Sequence, residues 1–449
     1  MRTGCWPSND RGQLLANDRH APFACDVDAG DSLRVRQHSY ARRLGPIRTK
    51  NIARGKNCTP QQLPSRQGGR ANVGSIIKSQ PALWEAADSG ENSERTSTRA
   101  LLGGLTQVTP LGAFVCVTVV LLGVVAFLTL ATPRVLGRLG RTGLAAHSGD
   151  YDAIVTADLH AYLAAPGSEL TLVLFGGSTM RASFLEADVV HALHQQGRSA
   201  RLLKLCTSTQ SLWETLALAE HLPARMRGVA AVGVGPSLFS KGPELFGELA
   251  AVPRLGLRSA VLDQALESRG HRVGPRTGVY AIDNAAFLVA RRQALASRLL
   301  GLSPVPYVDS RYTGETKPLT PAAWRKIGAR VARRYDVMDA NWAGNAVVLT
   351  RIVRTLEARG LRVLLVETPV NPRFEDEFAT TATAARHRGR VEALAGDLGV
   401  PYLHLVSAAR LEPDDFHDWA HLRARHAARR CADELAARVR ALLGERHEA

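Results

Sequence analysis

The sequence predicts an α/β fold: a doubly wound parallel sheet, interrupted by an α-rich insertion and preceded by one transmembrane helix. Three observations lead there. Between residues 151 and 445, short Val/Leu-rich runs alternate with longer helical stretches, several of which stop at glycine. Those short runs lack a polar face, as strands covered by helices on both sides must. Upstream, not one charged side chain occurs from Ala100 to Pro133.

The elements follow in chain order. Residues 1–100 show no sustained periodicity and are rich in Arg, Ser, Asn, Gly and Pro, which predicts a disordered basic tail. No apolar region near the start marks a secretory signal. A true start close to the apolar segment, for example at Val108, would remove this tail altogether. The densest apolar stretch, Leu111 to Ala131, has the roughly 20 residues a helix needs to cross a bilayer core; the span is placed at residues 108–132. Arg95 and Arg99 flank one side, and Arg134, Arg138 and Arg141 the other. By arginine count the C-terminal domain leans slightly toward the cytoplasm.

Leu170 to Phe175 predicts the first strand, and Phe184 to Gln196 a helix stopped by Gly197. Arg201 to Leu205 predicts a second strand, Ser211 to Leu222 a helix, and Val229 to Val234 a third strand. After an insertion at about residues 239–340, with a helix near Ala285 to Leu300 and a polar loop from Pro304 to Pro318, the alternation resumes. Ala346 to Arg359 is helical, Leu361 to Val366 a strand, Ala382 to Leu398 a helix, Pro401 to Val406 a strand, and Leu422 to Leu443 a final helix. The insertion is placed to cover a site.

Composition narrows the function classes. The formal charge of +16 is spread along 449 residues and is largely arginine, and aromatic residues make up 6%. A nucleic-acid groove calls for clustered cations interleaved with aromatics, so nucleic acid is not an expected partner. An anionic envelope surface suits the charge better. Cysteines at 5, 25, 58, 116, 206 and 431 include no Cys-x-x-Cys pair, which predicts neither a disulfide framework nor a metal site. No cofactor motif occurs, since no Gly-Lys-Ser/Thr follows the glycines after the first strand.

Two constellations carry chemistry. The first strand ends in Gly176-Gly177-Ser178-Thr179-Met180-Arg181. In open parallel sheets ligands sit beyond the carboxyl ends of strands. A serine there faces the site, and the glycines let the backbone turn tightly beside it. A plain helix cap is the alternative use of Ser178 or Thr179. The second constellation is Asp414-Asp415-Phe416-His417-Asp418-Trp419-Ala420-His421-Leu422. A serine hydroxyl needs a base, histidine serves near neutral pH, and a carboxylate fixes its tautomer. Two registers fit, Asp414 with His417 and Asp418 with His421. The second is preferred because His421 adjoins the terminal helix.

With Gly177-Ser178 after strand one and Asp418-Trp419-Ala420-His421 before the last helix, the chain resembles the SGNH/GDSL hydrolase superfamily. The resemblance spans most of residues 165–445 and implies a flavodoxin-like three-layer fold with Ser178 as nucleophile, His421 as base and Asp418 as its orienter. The layout is most similar to the membrane-anchored branch that modifies cell-surface polymers, which includes D-alanyl-lipoteichoic acid transfer and alginate O-acetylation proteins. It therefore implies an esterase or O-acyltransferase on the outer side of a cell membrane. Its substrate would be an acylated glycan, lipid or polymer, and an acyl-donor partner protein would suit it. The chain departs from the family at two blocks. Cys206-Thr207-Ser208-Thr209-Gln210 stands where a glycine is usual, and Val234-Gly235-Pro236-Ser237 where Gly-x-Asn is usual. Gly177, Thr179 and Ser237 become the candidate oxyanion residues, and a catalytically inactive scaffold becomes the alternative.

Overall fold

A computed structural model describes residues 109–444, apart from 168, 243, 252–253, 302–306, 313–316 and 380. The tail assigned to residues 1–100 and the start proposed at Val108 lie outside the described residues.

The first helix, α1 (Pro110–Leu130), begins with Thr109 accepting the Gly112 amide and Pro110 at the first helical position. Its stretch Pro110–Thr129 is long and apolar enough to cross a membrane, and none of it is buried. Two helices not assigned from the sequence follow, α2 (Pro133–Leu144) and α3 (Tyr151–Ala164). They pack closely because Gly137 has no side chain: a Cβ there would stand 2.7 Å from the Ala161 amide nitrogen.

The sheet begins with β1 (Thr171–Gly176), then α4 (Ser178–Ser183), α5 (Glu186–Gln195), β2 (Arg201–Cys206), α6 (Leu212–His221) and β3 (Gly228–Gly233). Ser211 caps α6 in a capping box with Glu214. The segment between β3 and β4 carries α7 (Pro236–Phe239), α8 (Glu244–Ala251), α9 (Ala260–Glu267), α10 (Tyr280–Asp283), α11 (Ala285–Ala290), α12 (Arg292–Leu299), α13 (Pro321–Asp336) and α14 (Met338–Ala358). The chain then returns through β4 (Leu361–Glu367), α15 (Pro372–Glu377), α16 (Thr381–Asp397), β5 (Tyr402–His404), α17 (Leu405–Ala408), a 3₁₀ turn at Pro413–Asp415, and α18 (Arg425–Gly444).

All five strands are parallel, in the order β2-β1-β3-β4-β5. The order reverses beside β1, which opens a crevice at the carboxyl ends of β1 and β3. Alternate strand residues feed two cores. Val173, Phe175, Val363 and Leu365 pack under α6 and α14, whereas Leu172, Leu174, Leu364 and Val366 pack under α5 and α18. Each fully buried Leu, Val or Phe contributes about 1.5–3 kcal/mol, so covering both faces is what holds the strands in register.

Several boundaries differ from the sequence reading: the helix expected from Ala346 begins at Met338, and three further differences have a local cause. The last strand is three residues, Tyr402–His404, because Leu405 turns into α17 and is buried in the second core. The predicted helix from Ala285 to Leu300 breaks at Arg291, whose guanidinium pairs with Asp150 at 2.9 Å. The final helix starts at Arg425 instead of Leu422, since Leu422 bridges to Phe416 and closes a loop.

Candidate active site

Ser178 opens α4 directly after β1. Gly176 makes this turn possible: its φ is +151°, and a Cβ there would lie 2.8 Å from Met180 Cβ. On the other side of the crevice, residues 416–422 fold back on themselves. Phe416 bridges to Leu422, and the His417 amide donates to the His421 carbonyl at 2.8 Å. This small loop lifts His421 toward Ser178.

The two constellations meet. His421 Nε2 lies 2.8 Å from Ser178 Oγ, and His421 Nδ1 lies 2.8 and 2.9 Å from the two Asp418 oxygens. Asp418 Oδ1 also accepts the Ala420 and His421 amides, each at 2.9 Å. Burial pushes the Asp418 carboxyl up, but the bond and charge of His421, with the two amides, outweigh it and hold it below its ordinary value. An ionised carboxylate only accepts, so Nδ1 carries the proton and Nε2 presents its lone pair to the serine hydroxyl. The imidazole is 7% exposed, which shields this arrangement from water.

The other register does not form. His417 Nδ1 donates to the Lys317 carbonyl at 2.7 Å, and Asp414 is exposed with its carbonyl taken by Arg423. The 3₁₀ turn at Pro413–Asp415 aims Asp414 outward, while Asp415 points inward to Arg430.

Asn371, after β4, fixes the Asp–His loop from below. Its amide donates to the Trp419 carbonyl, and its side chain donates to the Asp418 carbonyl at 3.2 Å. The sequence offered only Val370-Asn371 after a strand as a signal for it.

The insertion covers the site. Tyr312 stacks on His421, with ring centroids 3.9 Å apart and planes 19° apart. The loop that carries it is held at several points. Tyr151 donates to the Val308 carbonyl, Asp309 accepts the Glu186 amide at 2.6 Å, and Asp309 forms an ion pair with the buried Lys204. Lys317 and Leu319 contact the His417 backbone and ring, so the insertion also borders the Asp–His loop.

The candidate oxyanion residues are placed less completely. Gly177 is the N-cap of α4, and the Thr179 amide lies in its first turn, where no intrahelical acceptor exists. The Ser178 amide, by contrast, donates to the Ser208 carbonyl at 3.3 Å. Ser237 sits on α7 at the carboxyl end of β3, with no hydrogen bond from its hydroxyl to Ser178 among the described residues. Three cations secure the neighbouring loop after β2. Arg181 donates to the Thr207 carbonyl at 2.8 Å, Lys241 to the Thr209 carbonyl at 2.6 Å, and Arg254 to Thr209 and to the Thr207 hydroxyl. Burial pushes the Arg181 guanidinium and the Lys241 amine down from their ordinary values. Arg181 ends the Gly176–Arg181 motif, but nothing local in the sequence marks its contact with this loop, and Lys241 and Arg254 come from the insertion.

Among the described residues no group of three or more His, Cys, Asp or Glu side chains is arranged to hold a metal ion. No protein-family model matches the chain, and comparison with curated proteins finds no match.

Proposed function

We propose that the chain is a serine-dependent acyl esterase or O-acyltransferase, anchored in a membrane by α1 and acting on an acylated envelope glycan, lipid or polymer. One observation carries the reading: the unbroken series Ser178 Oγ, His421 Nε2, His421 Nδ1 and Asp418, at 2.8 Å for each link. Ser178 Oγ attacks the acyl carbonyl while its proton passes to His421 Nε2. The C–O bond to the leaving alcohol then breaks, and His421 returns the proton to that oxygen. A water or sugar hydroxyl, deprotonated by the same nitrogen, releases the acyl group from Ser178. Asp418 keeps the imidazole in the useful tautomer throughout.

The amides of Gly177 and Thr179, with the Ser237 hydroxyl, are the donors proposed for the oxyanion. Removing one oxyanion donor costs about 2.7–4 kcal/mol of barrier in such enzymes. The Ser178 amide, a further donor in that turn, is engaged by Ser208, and the glycine and Gly-x-Asn blocks usual in the resembled family are absent; both favour a second reading, a catalytically inactive scaffold that binds a glycan or a partner transferase. Both readings take the α/β domain to lie on the extracytoplasmic side, as the resemblance implies and against the slight arginine lean; a C-terminal reporter active only in the cytoplasm would reverse that side.

The deciding experiment treats the full chain and its Ser178→Ala variant with a fluorophosphonate and with p-nitrophenyl acetate. Labelling and turnover lost in the variant support the enzyme. A folded parent that neither labels nor turns over supports the scaffold.

A further inference from the structure

The stretch from Val279 to Ala290 is almost wholly apolar, and hydrogen bonds tie down the side chains of Asp283, at the surface, and Asn284, beneath it. Asp283 accepts the Thr277 and Gly278 amides, at 2.7 and 3.1 Å, and Asn284 is buried with its side chain donating to the Tyr280 carbonyl. The inner face of α10 and α11 is Ala281, Phe287 and Leu288, buried against α2 and α3. The seat is fixed by Tyr280, which donates to the Gly256 carbonyl at 2.9 Å and accepts from His160 at 3.0 Å. Burial pushes the His160 imidazole down to about 4, so it sits there neutral.

What remains outside is an unpartnered apolar face: Val279, Ile282 and Val289 are 39, 50 and 57% exposed, and Ala285, Ala286 and Ala290 lie exposed beside them. An exposed apolar face continuous over two helices marks an interaction surface. Its neighbour names the occupant. The same cluster that buries Ala281 and Leu288 takes in Leu128, from the last turn of α1, and α10 touches α1 directly. The face thus stands within a helical turn of where the chain leaves its apolar span. Exposed Arg134 and Arg138 on α2, and exposed Arg292 at the start of α12, supply cations on the elements that flank it.

We propose that α10 and α11 form a foot that lies in the surface of the bilayer crossed by α1. Ile282 and Val289 enter the boundary between headgroups and acyl chains, and Arg134, Arg138 and Arg292 meet anionic headgroups. An interfacial helix sinks its apolar face roughly 5–10 Å into that boundary. The foot rests on the reading of α1 as the membrane anchor. Together they would hold the crevice at a fixed height above the membrane, because two separated attachments remove the swivel a single helix permits.

The test uses the full chain reconstituted in phosphatidylcholine vesicles with and without phosphatidylglycerol. A nitroxide is attached at one site at a time, with Cys5, Cys25 and Cys58 replaced by serine. The natural Cys116, exposed on α1, reports the anchor; Ile282→Cys and Val289→Cys, with Cys116→Ser, report the foot; Val347→Cys, exposed on α14, reports a face away from it. The proposal expects labels at 116, 282 and 289 to be more accessible to oxygen than to a water-soluble nickel chelate. The label at 347 should show the reverse. Phosphatidylglycerol should deepen 282 and 289 further, and added salt should undo that shift.

Lipid accessibility at 116 with water accessibility at 282 and 289 overturns the foot and leaves the anchor standing. Water accessibility at 116 overturns the anchor and the foot with it. Labels at 282 and 289 shielded from both reagents mean that a second copy or another protein covers the face, which also overturns the proposal.

Discussion

Replacing Asp418 with asparagine changes one atom in the proposed catalytic series and leaves its shape intact. Asp418 Oδ1 accepts two backbone amides at 2.9 Å, so the carboxamide oxygen of the Asp418→Asn variant will stay on that side. The new NH₂ then occupies the Oδ2 position, 2.8 Å from His421 Nδ1. A donor then faces Nδ1 in competition with the retained oxygen 2.9 Å away, which draws the ring toward the other tautomer, with the proton on Nε2 pointing at Ser178. The serine loses its base although no side chain has moved. The same exchange in a serine-protease triad costs about 10⁴ in kcat, or roughly 5.5 kcal/mol of barrier. We expect a similar loss in kcat for p-nitrophenyl acetate hydrolysis, with KM changed little. The fluorophosphonate labelling rate should fall in parallel, and Ser178→Ala sets the floor. A variant whose activity stays within about threefold of the parent, roughly 0.7 kcal/mol of barrier, would refute the orienting role while Ser178→Ala is inactive.

Four further outcomes follow from the same geometry. Tyr312→Ala removes the ring stacked on His421, and at about 0.5–1.5 kcal/mol for such a pair kcat should drop about 2- to 12-fold in steady-state assays. Asp309→Ala leaves the buried Lys204 ammonium without its carboxylate, which should destabilise the domain by about 3 kcal/mol in denaturant titration and expose residues 307–312 to limited proteolysis. Burial raises the Glu367 carboxyl from 4.5 to about 8, with Arg388 opposing, and Tyr402 donates to it. A raised acid gives stability that is complete below pH 4.5 and lost as pH climbs through 8. Thermal melts should show a decline on the order of 4 kcal/mol across that window, which Glu367→Gln flattens. Gly176→Ala places a side chain against Met180 at positive φ and should lower both stability and labelling of Ser178 in the same preparation.

Much of the fold was legible because a buried parallel strand needs a run of apolar residues and little else. Leu170 to Phe175 and Leu361 to Val366 announce β1 and β4 on that basis alone. The two ends of the proposed series were legible for a different reason, since Ser178 and the Asp418–His421 pair each lie within a short local motif. Tyr312, Asn371, Arg181 and Lys241 were not, because each acts through a contact with a segment far away in the chain. Nothing near Tyr312 in the sequence says that its ring lies on an imidazole from the other end of the domain. The helix α3 was missed because it has no periodic face, and α2 because its amphipathic stretch is short and broken at Gly140. Their packing rests on small residues, Gly137 and Ala161, whose value is visible only when two helices touch. The 3₁₀ turn that separates Asp414 from His417 depends on the Asp415–Arg430 pair, another distant contact.

The separation of Ser178 from His421 by 243 positions has a consequence for synthesis. At about 5–20 residues per second, the nucleophile leaves the ribosome roughly 12 to 50 s before its base. All five strands and α1 precede residue 421 in the chain, yet none of them supplies a histidine to Ser178. Docking of the 416–422 loop, fastened through Asp415 to the terminal helix, is among the last long-range contacts the chain can make. A product truncated between residues 179 and 420 carries Ser178 and the apolar helix α1 but not His421. On the proposed function, reactivity toward acyl esters is therefore withheld until residue 421 has emerged and its loop has docked.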